Sequence, residues 1–258
     1  MSLLMVLDIG NTNLVLGLYR GEKLAHSYRL HTNRQQTADE YGLLLKSLLA
    51  QTGATPDQVE GVGVSNVVPE LATRIEEACQ RYLGHHPRFV SARLELGLTL
   101  QVDRPTEVGA DLIAGAVAAR ERWGLPVVVV DLGTATTLSV ISSEGAFLGT
   151  IIAPGLEISV DAISRRAPHL PGIRMEPPPR PFGTNTVHSL QAGLVLGHVA
   201  MIDGLVDRIR EHLELPDLKV GATGGLAPLV SGLSRTISMV ESDLVLEGIR
   251  LLYRRNVS

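Results

Sequence analysis

Two short segments combine an aspartate, a glycine and small polar side chains at the end of an apolar run. They read Asp8-Ile9-Gly10-Asn11-Thr12-Asn13 and Asp131-Leu132-Gly133-Thr134-Ala135-Thr136. Glycine lets backbone N–H groups approach a phosphate closely, and amide and hydroxyl side chains add further donors. One such segment alone is typical of an ordinary turn. Two copies, about half a chain length apart, favour two similarly built halves that each bind phosphate.

A third glycine-rich segment, Gly221-Ala222-Thr223-Gly224-Gly225, follows a predicted strand. Adjacent glycines leave a flat backbone surface on which a nucleobase or a ribose can press. Taken alone, the segment also fits a plain strand-to-helix turn. Its assignment to a nucleotide site therefore depends on the two aspartate segments.

A third carboxylate, that of Asp111, begins a predicted helix in the segment Glu107-Val108-Gly109-Ala110-Asp111. An acid there is most often a partner for helix N–H groups, and it could equally serve as a base at the rim of a ligand site. Carboxylates around a polyphosphate would repel it by roughly 4 kcal/mol for each pair of charges about 4 Å apart. We therefore expect Mg²⁺ to bridge carboxylate and phosphate oxygens.

The composition excludes several other classes of protein. The chain has only three lysines, Lys23, Lys46 and Lys219, and none lies in a P-loop or protein-kinase motif. Zinc-protease, serine-hydrolase and Rossmann dinucleotide motifs do not occur in it either. A formal charge of −4 gives no basic field for nucleic acid. With one cysteine, Cys79, and no apolar run near the roughly 18 residues of a membrane helix, we expect a cytoplasmic protein without leader or anchor.

The elements that must position these residues alternate between strand and helix. Each aspartate segment is predicted to be a strand, a glycine turn and a second strand, closed by a polar hairpin. Thr37-Ala38-Asp39-Glu40 has the spacing of a helix capping box. Further helices are predicted over 110–123 and, from a long apolar periodicity, over 186–212.

These patterns predict an α/β protein with mixed sheets, because hairpin strands pair antiparallel and strands joined through a helix pair parallel. A helix stop at Gly124-Leu125-Pro126 divides the chain into domains 1–123 and 124–258. We expect a ligand cleft between them, since ligands in α/β proteins favour domain interfaces and strand ends. Gly193, Gly197 and Gly204 would let another helix approach the helix 186–212, from the same chain or from a partner subunit.

Several segments occur in the order found in type III pantothenate kinases, and the chain resembles that family over essentially its whole length. Besides those quoted above, they are Ala153-Pro154-Gly155, Gly183-Thr184-Asn185-Thr186, Thr223-Gly224-Gly225-Leu226-Ala227 and Asp243-Leu244-Val245-Leu246-Glu247-Gly248. The resemblance implies the fold of acetate and sugar kinases, Hsp70 and actin, with two ribonuclease-H-like domains around a nucleotide cleft. It also implies ATP-dependent phosphorylation of the primary hydroxyl of pantothenate, the first step of coenzyme A synthesis. The enzyme would be a homodimer that requires Mg²⁺ and K⁺ or NH₄⁺.

The resemblance further implies roles for individual residues. ATP phosphates with Mg²⁺ would be held by Asp8, Ile9, Gly10, Asn11, Thr12, Asn13, Leu14 and Val15. In the second half, Gly133 and Thr134 would bind phosphate, Asp131 would bind the monovalent cation, and the third glycine segment (Thr223, Gly224 and Gly225) would lie against adenosine. Asp111 would be the general base, and pantothenate would contact Gly109, Ala110, Asp111, Leu112 and Thr186.

The chain departs from the family pattern around the acceptor. The usual Gly-Ala-Asp-Arg reads Gly109-Ala110-Asp111-Leu112, the usual Tyr-x-Asn-Pro reads Val102-Asp103-Arg104-Pro105, and an aspartate common after the second phosphate turn is Ser139. We hypothesise that Arg104 replaces the missing arginine beside a substrate oxygen, with Val102 lining the same site. Two other functions stay open at this level: a kinase for another small hydroxylated acceptor, and an ATP-binding regulatory protein without catalysis.

Overall fold

The computed structural model describes residues 2–257, which form two compact units. The first unit contains the chain up to Ala118 together with the segment from Leu244 onward, and the second contains Ala119–Asp243. The division differs from the predicted 1–123 and 124–258 in two respects. It falls inside a helix, and it assigns the C-terminal helix to the first unit.

The elements alternate between strand and helix along the chain, as predicted. As far as residue 123 they are β1 Leu3–Ile9, β2 Asn13–Arg20, β3 Lys23–His31, α1 Ala38–Gln51, β4 Val59–Asn66, α2 Ala72–Leu83, β5 Arg88–Phe89, β6 Thr99–Leu100 and α3 Ala110–Trp123. Then follow β7 Val127–Leu132, β8 Ala135–Ile141, β9 Ala146–Pro154, α4 Leu156–Arg166, α5 Thr186–Gln191, a π-helical turn Ala192–Leu196, α6 Gly197–Leu213, β10 Lys219–Thr223, α7 Ala227–Ser231, β11 Met239–Val240 and α8 Leu244–Asn256.

Both units carry a sheet in which five strands follow one another in the same order. In the first unit the order is β3-β2-β1-β4-β5, and in the second unit β9-β8-β7-β10-β11 follow one another in the equivalent way. Strand β1 pairs antiparallel with β2 and parallel with β4. In the same way, β7 pairs antiparallel with β8 and parallel with β10. The internal similarity seen in the sequence is therefore a similarity of topology, and the prediction of an α/β fold with mixed sheets is confirmed.

Local signals set the ends of the helices around the first sheet. Thr37 caps α1: its hydroxyl accepts a hydrogen bond from the Glu40 N–H, and its own N–H donates to the Glu40 carboxylate at 2.7 Å. Such a box satisfies two otherwise unpaired N–H groups. Helix α2 ends at Gly84, whose φ of +73° is a conformation that favours glycine. The capping box lies where the sequence predicted it.

The C-terminal helix α8 joins the first unit because its apolar side chains pack on the face of β1 and β4. Ile249 and Leu252 share a buried cluster with Leu4 and Val6. Gly61 and Gly63 of β4 make room for it: a Cβ on Gly61 would overlap the Tyr253 side chain, and one on Gly63 would lie 2.9 Å from Ile249. Such a contact between distant segments leaves no periodic signal in either segment.

The segment Thr186–Leu213 is long and apolar enough to cross a membrane by length and composition alone, whereas no apolar run near that length was expected from the sequence. Core helices of other proteins pass the same test. Here Val199, Ile202 and Val206 pack in the core of the second unit. Polar side chains are buried on the same helix, among them Gln191, His198 and Asp203.

Candidate functional site

The first aspartate segment forms the tight turn between β1 and β2. The Gly10 N–H donates to the Asn13 carbonyl at 2.9 Å, and a Cβ on Gly10 would lie 3.1 Å from that oxygen. Ile9 and Leu14 belong to the buried core, so only their backbone atoms can face a ligand. Asn11 at the tip of the turn is exposed. The turn therefore presents backbone groups and small polar side chains, as a phosphate site requires.

Asp8 lies at the end of β1 and projects from the same sheet face as Leu4 and Val6, because side chains alternate along a strand. Ser65 of the parallel strand β4 is its register partner on that face. The Ser65 hydroxyl is fully buried and has no hydrogen-bond partner within residues 2–257. A carboxylate and a buried hydroxyl thus lie side by side at the end of the sheet.

The start of α3 carries the third carboxylate. Asp111 is partly buried, and its Oδ1 accepts a hydrogen bond from the Leu112 N–H at 2.8 Å. Burial raises the pKa of Asp111 above the ordinary carboxyl value, and this hydrogen bond opposes the shift. A Cβ on Gly109 would lie 2.5 Å from Asp111 Oδ1, so the glycine leaves room for the carboxylate. A raised pKa makes the carboxylate a stronger base once it is ionised.

The second aspartate segment forms an equivalent turn between β7 and β8. The Gly133 N–H donates to the Ala135 carbonyl at 3.1 Å, and Gly133 and Thr134 are both exposed. Gly155 supports this turn from the end of β9: its N–H donates to the Thr134 carbonyl at 3.2 Å. A Cβ on Gly155 would lie 2.4 Å from that carbonyl oxygen. This role of Gly155 has no local sequence signal, because the contact joins segments about twenty residues apart.

The Asp131 side chain lies among groups from three strands of the second unit. Thr137 on β8 and Thr223 on β10 are its register partners. A Cβ on Gly224 would lie 2.9 Å from Asp131 Oδ1 and 2.6 Å from the Leu132 carbonyl, and the φ of Gly224 is +92°. The Thr137 hydroxyl is buried and has no hydrogen-bond partner in the part of the chain that the structure describes. Oxygen atoms of carboxylate, hydroxyl and carbonyl type therefore converge there.

A buried histidine also supports the second turn. His198 Nε2 lies 2.9 Å from Thr136 Oγ1, and both side chains are buried. Burial lowers the pKa of His198, which favours the neutral imidazole. The π-helical turn Ala192–Leu196 lies directly before this residue's helix. A histidine on an apolar helix carries no sequence signal of its partner, so the contact with Thr136 is visible only in the structure.

The predicted acceptor residues lie on both units. Gly109, Ala110 and Leu112 surround Asp111 at the start of α3, while Thr186 is the first residue of α5 in the second unit. Arg104 is 75% exposed, and its guanidinium donates to the Glu107 carboxylate at 2.9 Å.

The repeated sheet order and the paired glycine turns define an actin-like fold of the kind found in sugar kinases and ATPases. Two solved structures share it at low sequence identity. The activator of 2-hydroxyisocaproyl-CoA dehydratase from Clostridium difficile, with bound ADPNP, has a TM-score of 0.55 and 15% identity over 98% of this chain and 94% of that one. An inorganic polyphosphate/ATP-glucomannokinase from Arthrobacter sp. strain KM has a TM-score of 0.51 and 15% identity over 97% and 98%. At such identities the similarity shows the fold alone.

Sequence similarity narrows this class to one family. The model of the type III pantothenate kinase family matches residues 4–208. The type III pantothenate kinase of Anaeromyxobacter sp. (strain K) is 48% identical over 254 residues, which are 98% of this chain and 100% of that protein. The chain therefore belongs to the type III pantothenate kinase family, and the resemblance noted in the sequence is confirmed.

Proposed function

We propose that this protein transfers the γ-phosphoryl group of ATP to the primary hydroxyl of pantothenate, the first step of coenzyme A synthesis. The observation that carries the proposal is the similarity to a type III pantothenate kinase over nearly the whole of both chains. The two glycine turns and the partly buried carboxylate of Asp111 support it, because they supply the groups that phosphoryl transfer needs.

Asp111 would act as the general base. The alcohol oxygen forms a bond to the γ-phosphorus while the bond from that phosphorus to the bridging oxygen breaks, and ADP leaves. The alcohol proton passes to the Asp111 carboxylate. A raised carboxyl pKa supports this role, since it brings the basicity of the group closer to what proton removal near neutral pH requires. Most of the acceleration would come from alignment and charge stabilisation of a loose transition state.

The two turns would hold the ATP phosphates, the first through residues 8–15 and the second through Gly133 and Thr134. Asp8 would hold Mg²⁺, and the adjacent buried hydroxyl of Ser65 suits a polar ligand shell. Mg²⁺ bound there would neutralise charge on the phosphate oxygens. Asp131 would hold K⁺ or NH₄⁺, a role supported by the converging oxygens of Thr137 and the Leu132 carbonyl.

The acceptor would lie against Gly109, Ala110, Leu112 and Thr186, with Val102 and Arg104 nearby. The ion pair of Arg104 with Glu107 is exposed on both sides, and such pairs contribute at most about 1 kcal/mol. Arg104 can therefore exchange this partner for a substrate oxygen at small cost. The loss of the usual arginine at Leu112 makes this exchange the simplest source of a guanidinium for the acceptor.

The two alternative functions are not favoured. A regulatory protein without catalysis has no evident need of a partly buried carboxylate whose surroundings leave room for it, as at Asp111 and Gly109. A kinase for another acceptor lacks such support, whereas relatives at 42–48% identity over nearly the whole chain are named type III pantothenate kinases.

An ADP-release assay with ATP, Mg²⁺ and K⁺ or NH₄⁺ tests the proposal. We expect one ADP for each phosphopantothenate formed when pantothenate is the acceptor, and only background release when pantothenate is omitted or replaced by a simple polyol. ATP binding without ADP release on pantothenate would contradict the proposal. Release with another acceptor alone would support the second alternative.

We also propose that the protein is a cytoplasmic homodimer, and that the exposed face of the helix 186–213 forms its interface. Gly193, Gly197, Ala200 and Gly204 follow one another at helical spacing along this face. No group within residues 2–257 lies within 4 Å of a Cβ built on any of the three glycines, apart from the backbone of the helix itself. The same unit also exposes apolar side chains that could pack against the second subunit, namely Ile152, Ile158 and Phe182. A helix with small residues on its open face can pack closely against its own copy across a two-fold axis.

A charge placed on this face separates the two subunits. Gly197→Glu adds no clash within one subunit, because the space beside Gly197 is open. It would bury an unpaired carboxylate in the dimer, at a cost of several kcal/mol. We expect light scattering after size exclusion to give the dimer mass for the intact protein and about 27.7 kDa, the mass of one chain, for the variant. Gly172→Glu, at another open glycine, is the control and should leave the mass unchanged.

A further inference from the structure

The loop His31–Gln36, between β3 and α1, lies directly against the first phosphate turn. The Thr32 hydroxyl donates to the Gly10 carbonyl at 2.7 Å, and the Thr32 N–H donates to the Thr12 carbonyl at 2.9 Å. These two bonds join the loop to both sides of the turn tip. Thr32 is buried, so the attachment is protected from water.

The opposite side of the loop is held by the two helices of the first unit. The Tyr41 hydroxyl of α1 donates to the Asn33 carbonyl at 2.8 Å. The Arg74 guanidinium of α2 donates to the carbonyls of Arg34 and Gln36. The loop is thus fixed in place before any ligand arrives, although several of its side chains are exposed.

This fixed loop presents a guanidinium to the turn. Arg34 Nη2 donates to Asn11 Oδ1 at 2.7 Å, and Arg34 Nη1 donates to Glu70 at 3.2 Å. A guanidinium has five N–H groups, so these two bonds leave others for a ligand. The ion pair with Glu70 is half-exposed on both sides, and such pairs are weak and readily exchanged.

The space beside Arg34 is large enough for a phosphate chain. An open cavity of about 500 Å³ is lined by the six residues of the loop, His31–Gln36. Ligand pockets for small molecules commonly have about 300–1,000 Å³. A polyphosphate at the turn also needs positive charge, and the chain has only three lysines, none of them in a phosphate-binding motif.

We propose that Arg34 is a phosphate-contacting residue, which exchanges Glu70 for a phosphate oxygen of the bound nucleotide while it keeps its bond to Asn11. Arginine suits this task, since its planar fork matches the geometry of phosphate oxygens. The proposal rests on the proposed function, because it needs a nucleotide at the first turn. Arg34 would then act as a lysine does in other phosphate sites, although it lies outside the phosphate-binding turn.

Calorimetric titration of Arg34→Gln with adenosine, ADP and a non-hydrolysable ATP analogue tests this assignment. A lost hydrogen bond between two charged groups weakens binding by about 10- to 100-fold. We expect that loss for the phosphorylated ligands and no change for adenosine. Arg34→Lys should restore part of the affinity, because it keeps the charge and loses the fork. Arg81→Gln is the matched control: Arg81 is similarly exposed and also has two acidic partners, Asp39 and Glu77.

The outcomes separate the two proposals. An intact protein that binds no ATP would overturn the proposed function, whatever Arg34 does. An intact protein that binds ATP and phosphorylates pantothenate, together with an Arg34→Gln variant of unchanged nucleotide affinity, would overturn the Arg34 assignment alone. An equal loss for adenosine and for ATP would show that Arg34 only supports the loop, and it would also overturn the assignment.

Discussion

We expect Asp111→Asn to lower kcat for pantothenate phosphorylation by about 10²–10⁴-fold, the usual contribution of a general base, and to leave the affinity for ATP nearly unchanged. The amide has nearly the same shape as the carboxylate and can still accept a hydrogen bond from the Leu112 N–H, so the start of α3 keeps its structure. It cannot take up the alcohol proton. Steady-state kinetics with saturating pantothenate, together with ATP titration of the variant, measure both quantities.

Thermal unfolding of the Asp111→Asn variant at neutral and acid pH is the control for folding. Burial raises the pKa of Asp111, so the folded protein binds this proton more tightly than the unfolded chain does. Stability then falls as the pH rises from the ordinary carboxyl pKa through the raised one, and at neutral pH the ionised carboxylate is destabilising. Asp111→Asn should therefore unfold at a slightly higher temperature than the intact protein at neutral pH, and the difference should vanish in acid. A stable variant with normal turnover would exclude Asp111 as the base.

We expect Gly224→Ala to weaken nucleotide binding by about 10- to 100-fold, because holding an alanine at the positive φ that the proposed adenosine surface requires costs on the order of 1–3 kcal/mol. The added methyl group would also lie 2.6 Å from the Leu132 carbonyl and 2.9 Å from Asp131 Oδ1, so the backbone at the end of β7 must move. That movement displaces both the carboxylate of Asp131 and the glycine surface assigned to adenosine. ATP titration by calorimetry measures the effect.

Gly232→Ala is the matched control for this substitution. Gly232 also lies in the second unit, its φ is −66°, and a Cβ there would meet its nearest neighbour at an ordinary 3.5 Å. We expect normal ATP affinity and normal stability for it. Equal ATP affinity in the two variants would show that the conformation of Gly224 has no part in nucleotide binding.

Those features of the fold that depend on neighbours in the chain could be predicted from the sequence. The capping box at Thr37 and the glycine end of α2 at Gly84 follow from hydrogen bonds within a few residues. The two glycine turns follow from the same local rules, and their repetition predicted two sheets of one topology. The boundary between the units could not be predicted in this way, because α8 is held by a packing surface on β1 and β4.

The candidate site likewise has features that follow from nearby residues and features that depend on the tertiary structure. Asp8, Asp111 and Asp131 stand out because an acid, a glycine and small polar residues are close in sequence, and nearby residues are sufficient to fix the chemistry of each turn. Only the tertiary structure places Ser65 beside Asp8, Thr137 beside Asp131, and Arg34 against Asn11. These pairs are set by strand register and by packing of a distant loop. Both are decided by which faces the whole chain can bury together, and no local sequence pattern records that choice.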